Sequence, residues 1–187
     1  LLGGCGEPNL DDPETLDKIL AEAIDKWKLQ GRGEEGEKLF YAPNEQSPYT
    51  GWAKHMYNNG QVKSLENYKD GKPDGLLIVW HENGQKRSEK NIKGGKLDGL
   101  WTTWRENGQK STESNYKDDK PDGLFTQWRE NGQKLSEGNY KDDKLDGLRT
   151  TWYENGQKST EGNYKDGKLH GLRTTWGEQG VQGSEIN

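Results

Sequence analysis

Residues 150–171 read TTWYENGQKSTEGNYKDGKLHG. Residues 102–123 read TTWRENGQKSTESNYKDDKPDG, and residues 126–147 read TQWRENGQKLSEGNYKDDKLDG. The phrase packs Trp, Tyr, Glu, Asn, Lys, Asp and His together, which invites a reading as a site. Its recurrence decides otherwise. Gly51, Gly75, Gly99, Gly123, Gly147 and Gly171 mark its start at a constant step of 24 residues. A fixed period in this range signals tandem supersecondary units that stack to share a core. Catalytic constellations are not normally copied in tandem, so function is sought in how the copies differ.

Count from the opening glycine as place zero. Place one is Leu76, Leu100, Leu124, Leu148 and Leu172, and place five is Trp80, Trp104, Trp128, Trp152 and Trp176. Place seventeen is Tyr68, Tyr116, Tyr140 and Tyr164, with Ile92 as the exception. Glu-Asn-Gly stands between them, a strong hairpin signal. A second turn, KDGKPDG or KDDKLDG, joins one hairpin to the next. A two-residue Asn-Gly loop would separate Leu and Trp from Tyr. A three-residue Glu-Asn-Gly loop with a left-handed glycine places all three on one face. Shared burial predicts the second, with Gly138, Gly162 or Ser114 across from the leucines. Twelve strands would then make a ribbon about 55–60 Å long.

Hydrophobic residues are 27% of the 187 and charged residues 32%, a balance that leans toward disorder. Against that stand eight Trp and eight Tyr, most at fixed places. Each aromatic ring buries roughly 150–250 Å², enough to hold a thin interior. The net charge of −5 gives no basic excess, which argues against nucleic-acid binding. No apolar run reaches the roughly 18 residues that a membrane span needs. The expected fold is an all-β repeat array, an elongated twisted antiparallel sheet of successive 24-residue hairpins, capped by one N-terminal amphipathic helix.

Three segments are expected: residues 1–11 as a tether, residues 12–29 as the helix, and residues 36–187 as the hairpin domain. Asp12 suits an N-cap, Pro13 the first helical position, and Glu14 the helix dipole. Leu16, Ile19, Leu20, Ala23, Ile24 and Trp27 form one apolar stripe. The helix is read as a cover for the open end of the array rather than as a docking helix. GRGEEG at 31–36 breaks it, and a short strand is expected at Lys38–Tyr41. At the far end, GEQGVQGSEIN loses the rhythm, as a terminal cap would.

The stretch EGNYKDGKLHGLRTTW at 161–176 resembles the MORN repeat in its bacterial variant form. Gly162, Tyr164, Gly167, His170 and Gly171 fall on that family's Gly-x-aromatic-x-x-Gly-x-x-His-Gly pattern. Asp74, Asp98, Asp122 and Asp146 depart from it where the family has His, and Asp119 and Asp143 where it has Gly. The resemblance implies a twisted sheet of hairpins acting as a scaffold. Some family members contact phospholipid, and bacterial variants often carry an antitoxin-component label. Leu2-Gly3-Gly4-Cys5 resembles the lipobox of bacterial lipoproteins. That resemblance implies that Leu1–Gly4 are the tail of a signal peptide and that Cys5 carries lipid, which makes the membrane a partner only through Cys5.

Cys5 is the single cysteine, so an internal disulfide and a Cys-based zinc site are excluded. Glu89, Glu113, Glu137, Glu161 and Glu185 recur at place fourteen. Two strands apart, roughly 10 Å, they miss both glycosidase carboxylate spacings. They are expected to be a solvated stripe. The Asp-Gly turns lack the ligand order of a calcium loop. His55, His81 and His170 stand at different places and form no metal or triad spacing. No catalytic residue, metal site or cofactor is expected. The positions that vary between copies carry the functional reading. One series, read as place two, is Trp52, Leu77, Trp101, Phe125, Arg149 and Arg173. Place six includes Arg105, Arg129 and Tyr153. Aromatic residues and Arg dominate binding hot spots. The expected partner is therefore an unidentified protein at a bacterial envelope. The alternatives are a cytosolic toxin held by an antitoxin-like chain, or an envelope glycan or phospholipid.

Overall fold

The computed structural model describes residues 8–186, with side chains to residue 183. The candidate lipobox and Cys5 lie outside these residues. In chain order the elements are α1 (Pro13–Glu22), β1 (Ile24–Asp25), a 3₁₀ turn at Lys26–Lys28, β2 (Gln30–Arg32), β3 (Leu39–Tyr41), β4 (Gly51–Met56) and β5 (Val62–Lys69). There follow β6 (Lys72–Trp80), β7 (Lys86–Lys93), β8 (Lys96–Trp104), β9 (Lys110–Lys117) and β10 (Lys120–Trp128). The last are β11 (Lys134–Lys141), β12 (Lys144–Trp152), β13 (Lys158–Lys165), β14 (Lys168–Trp176) and β15 (Gln182–Ile186). Strands β4 to β15 form one antiparallel sheet in sequence order, with β1 added in parallel at the β4 edge. β2 and β3 make a separate small sheet.

The hairpin loops are the three-residue kind. In β10–β11 the Arg129 N–H donates to Gln133 O at 2.8 Å and the Gly132 N–H to Arg129 O at 3.1 Å. Gly132 has φ +81°, where only glycine is free of a Cβ penalty. Asn131 Oδ1 accepts the Gln133 N–H at 3.0 Å, closing an Asx turn over the loop.

The faces differ from expectation. A second bulge follows the loop, where the register shifts between Gln127 and Trp128. It moves the pairing by one residue. Leu124 faces Asn139, Phe125 faces Gly138, and Gly123 faces Tyr140. A one-residue slip exchanges the faces of a strand. Leu and Trp therefore share one face with Thr126 and Glu137, while Tyr140 shares the other with place two. Trp52 stands at place one of its own unit, so it belongs with the leucines rather than with Leu77, Trp101 and Phe125.

The second connections are two-residue turns with both central residues left-handed, the form that matches strand twist. Asp118 and Asp119 have φ 49° and 68°, and Asp142 and Asp143 have 47° and 73°. The second central residue is glycine at Gly71, Gly95 and Gly167. An L-residue there carries strain that glycine lacks. Asp143→Gly is therefore expected to raise stability by about 0.5–1 kcal/mol, read as a higher urea midpoint. The turn amide itself is kept, because the Asp143 N–H donates to Pro121 O at 3.0 Å. Gly95 to Pro73, Asp119 to Leu97 and Gly167 to Leu145 repeat that bond along the edge.

α1 is shorter than the apolar stripe suggested. Asp12 caps it through the Thr15 N–H at 3.0 Å. Ala23 turns extended, and Ile24–Asp25 pair with Ala53–Lys54 instead of continuing the helix. Trp27 is left 77% exposed. The core sits where α1 covers the first hairpins. Leu10, Ala23, Leu65, Ile78 and Trp80 are buried there, with Leu16, Ile19, Leu20, Trp52, Val62 and Leu76 packed around them. Residues 6–11 are thus not all tether, because Leu10 is 6% exposed and Asp11 pairs with Lys86. On the opposite face, Phe40 and Tyr49 cover the Tyr68 ring.

Beyond this end the leucines do not form a shared core. Leu100, Leu124, Leu148 and Leu172 are 41–53% exposed. What repeats there is a polar brick. Thr102, Thr126 and Thr150 are buried and donate to Glu113, Glu137 and Glu161. Each glutamate also pairs with the lysine three residues before it. That lysine lies over the tryptophan of the next unit, as Lys110 does over Trp128 at 5.7 Å. The carboxylates of Glu89, Glu113, Glu137 and Glu161 are paired and partly buried, not a solvated stripe.

Candidate interaction surface

The face that carries place two is built from rings and hydroxyls. Trp101 and Tyr116 lie 5.5 Å apart and Phe125 and Tyr140 6.0 Å apart, centroid to centroid. The Trp101 indole N–H donates to Ser88 Oγ at 3.0 Å, and Lys90 Nζ sits 5.8 Å from its ring. Thr103 and Thr112 hydroxyls meet at 2.6 Å, and Thr151 bonds both Ser159 and Thr160. Leu77, Trp101 and Phe125 are half-buried, while Arg149 and Arg173 are exposed. A cleft of about 570 Å³ opens at the first part of this face, bounded by Val79, His81, Ser88, Trp101, Thr103 and Arg105.

Place six has a structural task. Tyr57 Oη donates to Trp80 O at 2.7 Å, and Arg105 donates to Trp128 O and Arg129 to Trp152 O, both at 2.7 Å. Tyr153 Oη donates to Trp176 O at 2.8 Å, and His81 Nε2 lies 3.1 Å from Trp104 O. Tyr, His and Arg share only a donor at the end of a reach long enough to cross to the next unit. Arg105, Arg129 and Tyr153 are thereby held along the loop edge, apart from the strand centre where Trp101 and Phe125 lie. Trp52, on the other face, packs into the core. The face thus gathers Leu77, Trp101 and Phe125, and leaves the other four candidates at its edge or behind it.

The electrostatics are those of paired charges. The Lys158 ammonium beside Glu161 holds its carboxyl below the usual carboxylate value, against a burial effect that raises it. A depressed folded pKa contributes stability above the ordinary value of 4.5, and that stability is lost as pH falls through the folded value. Glu161→Gln is therefore expected to cost about 0.5 kcal/mol at pH 7. The difference from wild type should shrink as pH falls below 4.5, measured by urea unfolding across a descending pH series. Burial lowers the Lys86 pKa, but hydrogen bonds to Asp11 and Glu89 outweigh it and hold the group above its ordinary value. Burial raises the Tyr116 pKa, with Asp143 adding to it. Among the described residues no group of three or more His, Cys, Asp or Glu could hold a metal ion. No helix there is long and apolar enough to cross a membrane.

The MORN repeat variant family matches residues 51–70, 73–93, 97–118, 121–142 and 145–166, together more than half of the chain. The chain belongs to the MORN repeat variant family. Each match from the second onward starts at the second residue of a strand that follows a two-residue turn. A MORN unit in this chain is therefore one strand pair with the loop between its strands. The family makes the chain a repeat scaffold for binding or interaction. Among curated proteins no sequence match is found.

The sequence reading missed the anchorage of Leu10 and Asp11. The available signal was a lone leucine two residues before the N-cap, in an otherwise polar stretch. It also missed the Lys-x-x-Glu pairing at places eleven and fourteen.

Proposed function

We propose that this MORN-type protein is a non-catalytic scaffold, lipid-anchored at a bacterial envelope, that binds another protein through the Tyr face. The observation that carries the reading is the sequence of place two along that face. Trp101 and Phe125 give way to Arg149 and Arg173, while the residues that lie between successive members of the series, Ser114, Gly138 and Gly162, are small. A gradient from aromatic to cationic groups on a constant frame suits one extended partner surface. The test is a crosslinking pull-down with Trp101→Ala and Phe125→Ala together. Loss of a specific partner supports the reading, and an unchanged profile removes this face from it.

The anchor rests on Leu2-Gly3-Gly4-Cys5. With Cys5 lipidated, the five residues to Leu10 would span at most about 18 Å, so the helix-covered end would lie close to the membrane. The mass of the protein expressed from its natural start, beside a Cys5→Ala control, tests it. Cleavage before Cys5 with acylation supports the anchor. An intact unmodified chain favours a cytosolic, antitoxin-like protein. A glycan is the second reading for the same face, favoured by the cleft beside Trp101. Saturable quenching of Trp fluorescence by envelope polysaccharide would support it.

A further inference from the structure

The Leu/Trp face shows what one of its units accepts. In the β6–β7 hairpin, Leu10 lies in the cluster that packs on Leu76 and Trp80, and Asp11 meets Lys86 at 2.6 Å. Lys86 holds a second carboxylate, Glu89, also at 2.6 Å, and its side chain is only 23% exposed. A Leu-Asp pair therefore fills one socket, made of the leucine at place one, the lysine at place eleven and the glutamate at place fourteen.

The next three units repeat that socket. Leu100 with Lys110, Leu124 with Lys134 and Leu148 with Lys158 stand in the same places. Each lysine pairs with its own glutamate, and among the described residues no second carboxylate reaches it. These lysine side chains are 44–47% exposed, and the three leucines 41–44%. The floor beneath differs from the part that α1 covers. Ile78 is replaced by buried Thr102, Thr126 and Thr150, each already bonded to its glutamate. The repeat preserves the leucine, lysine and glutamate that surround Leu10 and Asp11, not the apolar bed of Leu65 and Ile78 beneath them.

We infer that β8 to β13 bind an extended acidic-apolar segment of a partner protein, with Leu-Asp pairs seated in three consecutive sockets. The lysine ammonium supplies the charge complement, and the exposed leucine and neighbouring tryptophan supply the apolar one. Adjacent sockets are two strands apart, about 9.6 Å, and a polyproline II chain, with three residues per turn and about 3.1 Å rise, returns a side chain to the same face at nearly that spacing. The segment thus carries Leu-Asp at every third residue. Single seats are weak, and linking three raises the overall affinity through effective concentration. This deepens the scaffold reading but uses the opposite face.

The test titrates a synthetic peptide of three Leu-Asp-Ser units into the full protein, read by Trp fluorescence and calorimetry. Saturable binding is expected, at least tenfold weaker for the Leu-Asn-Ser and Ser-Asp-Ser versions and weakened by salt. Lys110→Gln with Lys134→Gln and Lys158→Gln should lose at least tenfold, while the matching Lys→Arg triple retains binding and both keep the wild-type circular dichroism. No saturation at millimolar peptide, or equal affinity for the Asn version, overturns the inference. Binding of a peptide of residues 8–24 without binding of the repeated pair assigns the face to a helix and also overturns it. So does a concentration-dependent dimer that the Gln triple abolishes. A partner still lost with Trp101→Ala and Phe125→Ala would leave the scaffold reading standing when this one fails.

Discussion

Trp80→Ala is expected to destabilise the helix-covered end of the protein by about 3–5 kcal/mol. Trp80 is 5% exposed and belongs to the cluster of Leu10, Ala23, Leu65 and Ile78. Its removal leaves a cavity between α1 and β4–β7 that neighbouring strands, fixed by their ladders, cannot close. Trp128 occupies the same place in its unit but is only half-buried, with Lys110 over its ring. Trp128→Ala should cost less, about 1–2 kcal/mol. In a repeat array, stability is close to a sum of local and neighbour terms. The Trp80 variant should therefore lose hydrogen-exchange protection in α1 and β4–β7 before it loses protection in β10–β13. Equal losses for the two variants in urea unfolding would mean that the core is not concentrated at the first hairpins.

Gly71→Ala has the second large effect. Gly71 has φ +79°, and a Cβ there would lie 2.9 Å from Pro48 Cβ, 3.0 Å from Leu39 Cβ and 3.1 Å from Phe40 N. The same turn is tied to the preceding segment by the Gly71 N–H to Tyr49 O and the Phe40 N–H to Gly71 O, both at 2.8 Å. Backbone strain costs about 1–2 kcal/mol and overpacking about 1–3 kcal/mol more. Gly167 separates the two. It has φ +81° with nothing within 4 Å of its would-be Cβ. Gly167→Ala should carry the strain alone. The expected thermal midpoint of Gly71→Ala is clearly below that of Gly167→Ala. Equal midpoints would show that the segment at Leu39–Tyr49 does not press on the turn.

The period and the three-residue loop were legible because Asn and glycine mark them at the level of single residues, while the second connection was legible only as a short turn. The faces were not. The first bulge in each hairpin announces itself with a glycine at φ near +80°, as at Gly132, but the second, beside Lys134 and Leu135, carries no such residue. Parity along a strand depends on every bulge, so one unmarked bulge moved Tyr140 from beside Leu124 to beside Phe125. Ile24 and Trp27 fit a helical stripe equally well whether or not the helix continues. The competing pairing of Ile24–Asp25 with Ala53–Lys54 is a tertiary event that periodicity does not record. Arg105, Arg129 and Tyr153 read as variable surface groups because their side chains differ. Their common task, donating to a carbonyl 23 residues on, shows only when neighbouring units are stacked. The match of Lys86 to Lys110, Lys134 and Lys158 was visible in the repeat, but its meaning came from seeing Asp11 on the first of them.

The two-faced ribbon is the central claim, and side-chain NOEs test it most directly. With selectively labelled protein, ring protons of Phe125 should show NOEs to the Tyr140 ring, whose centroid is 6.0 Å away. Leu124 methyls should show none to that ring. NOEs from Leu124 methyls to the Tyr140 ring, without those from Phe125, would restore the single shared face and contradict the account.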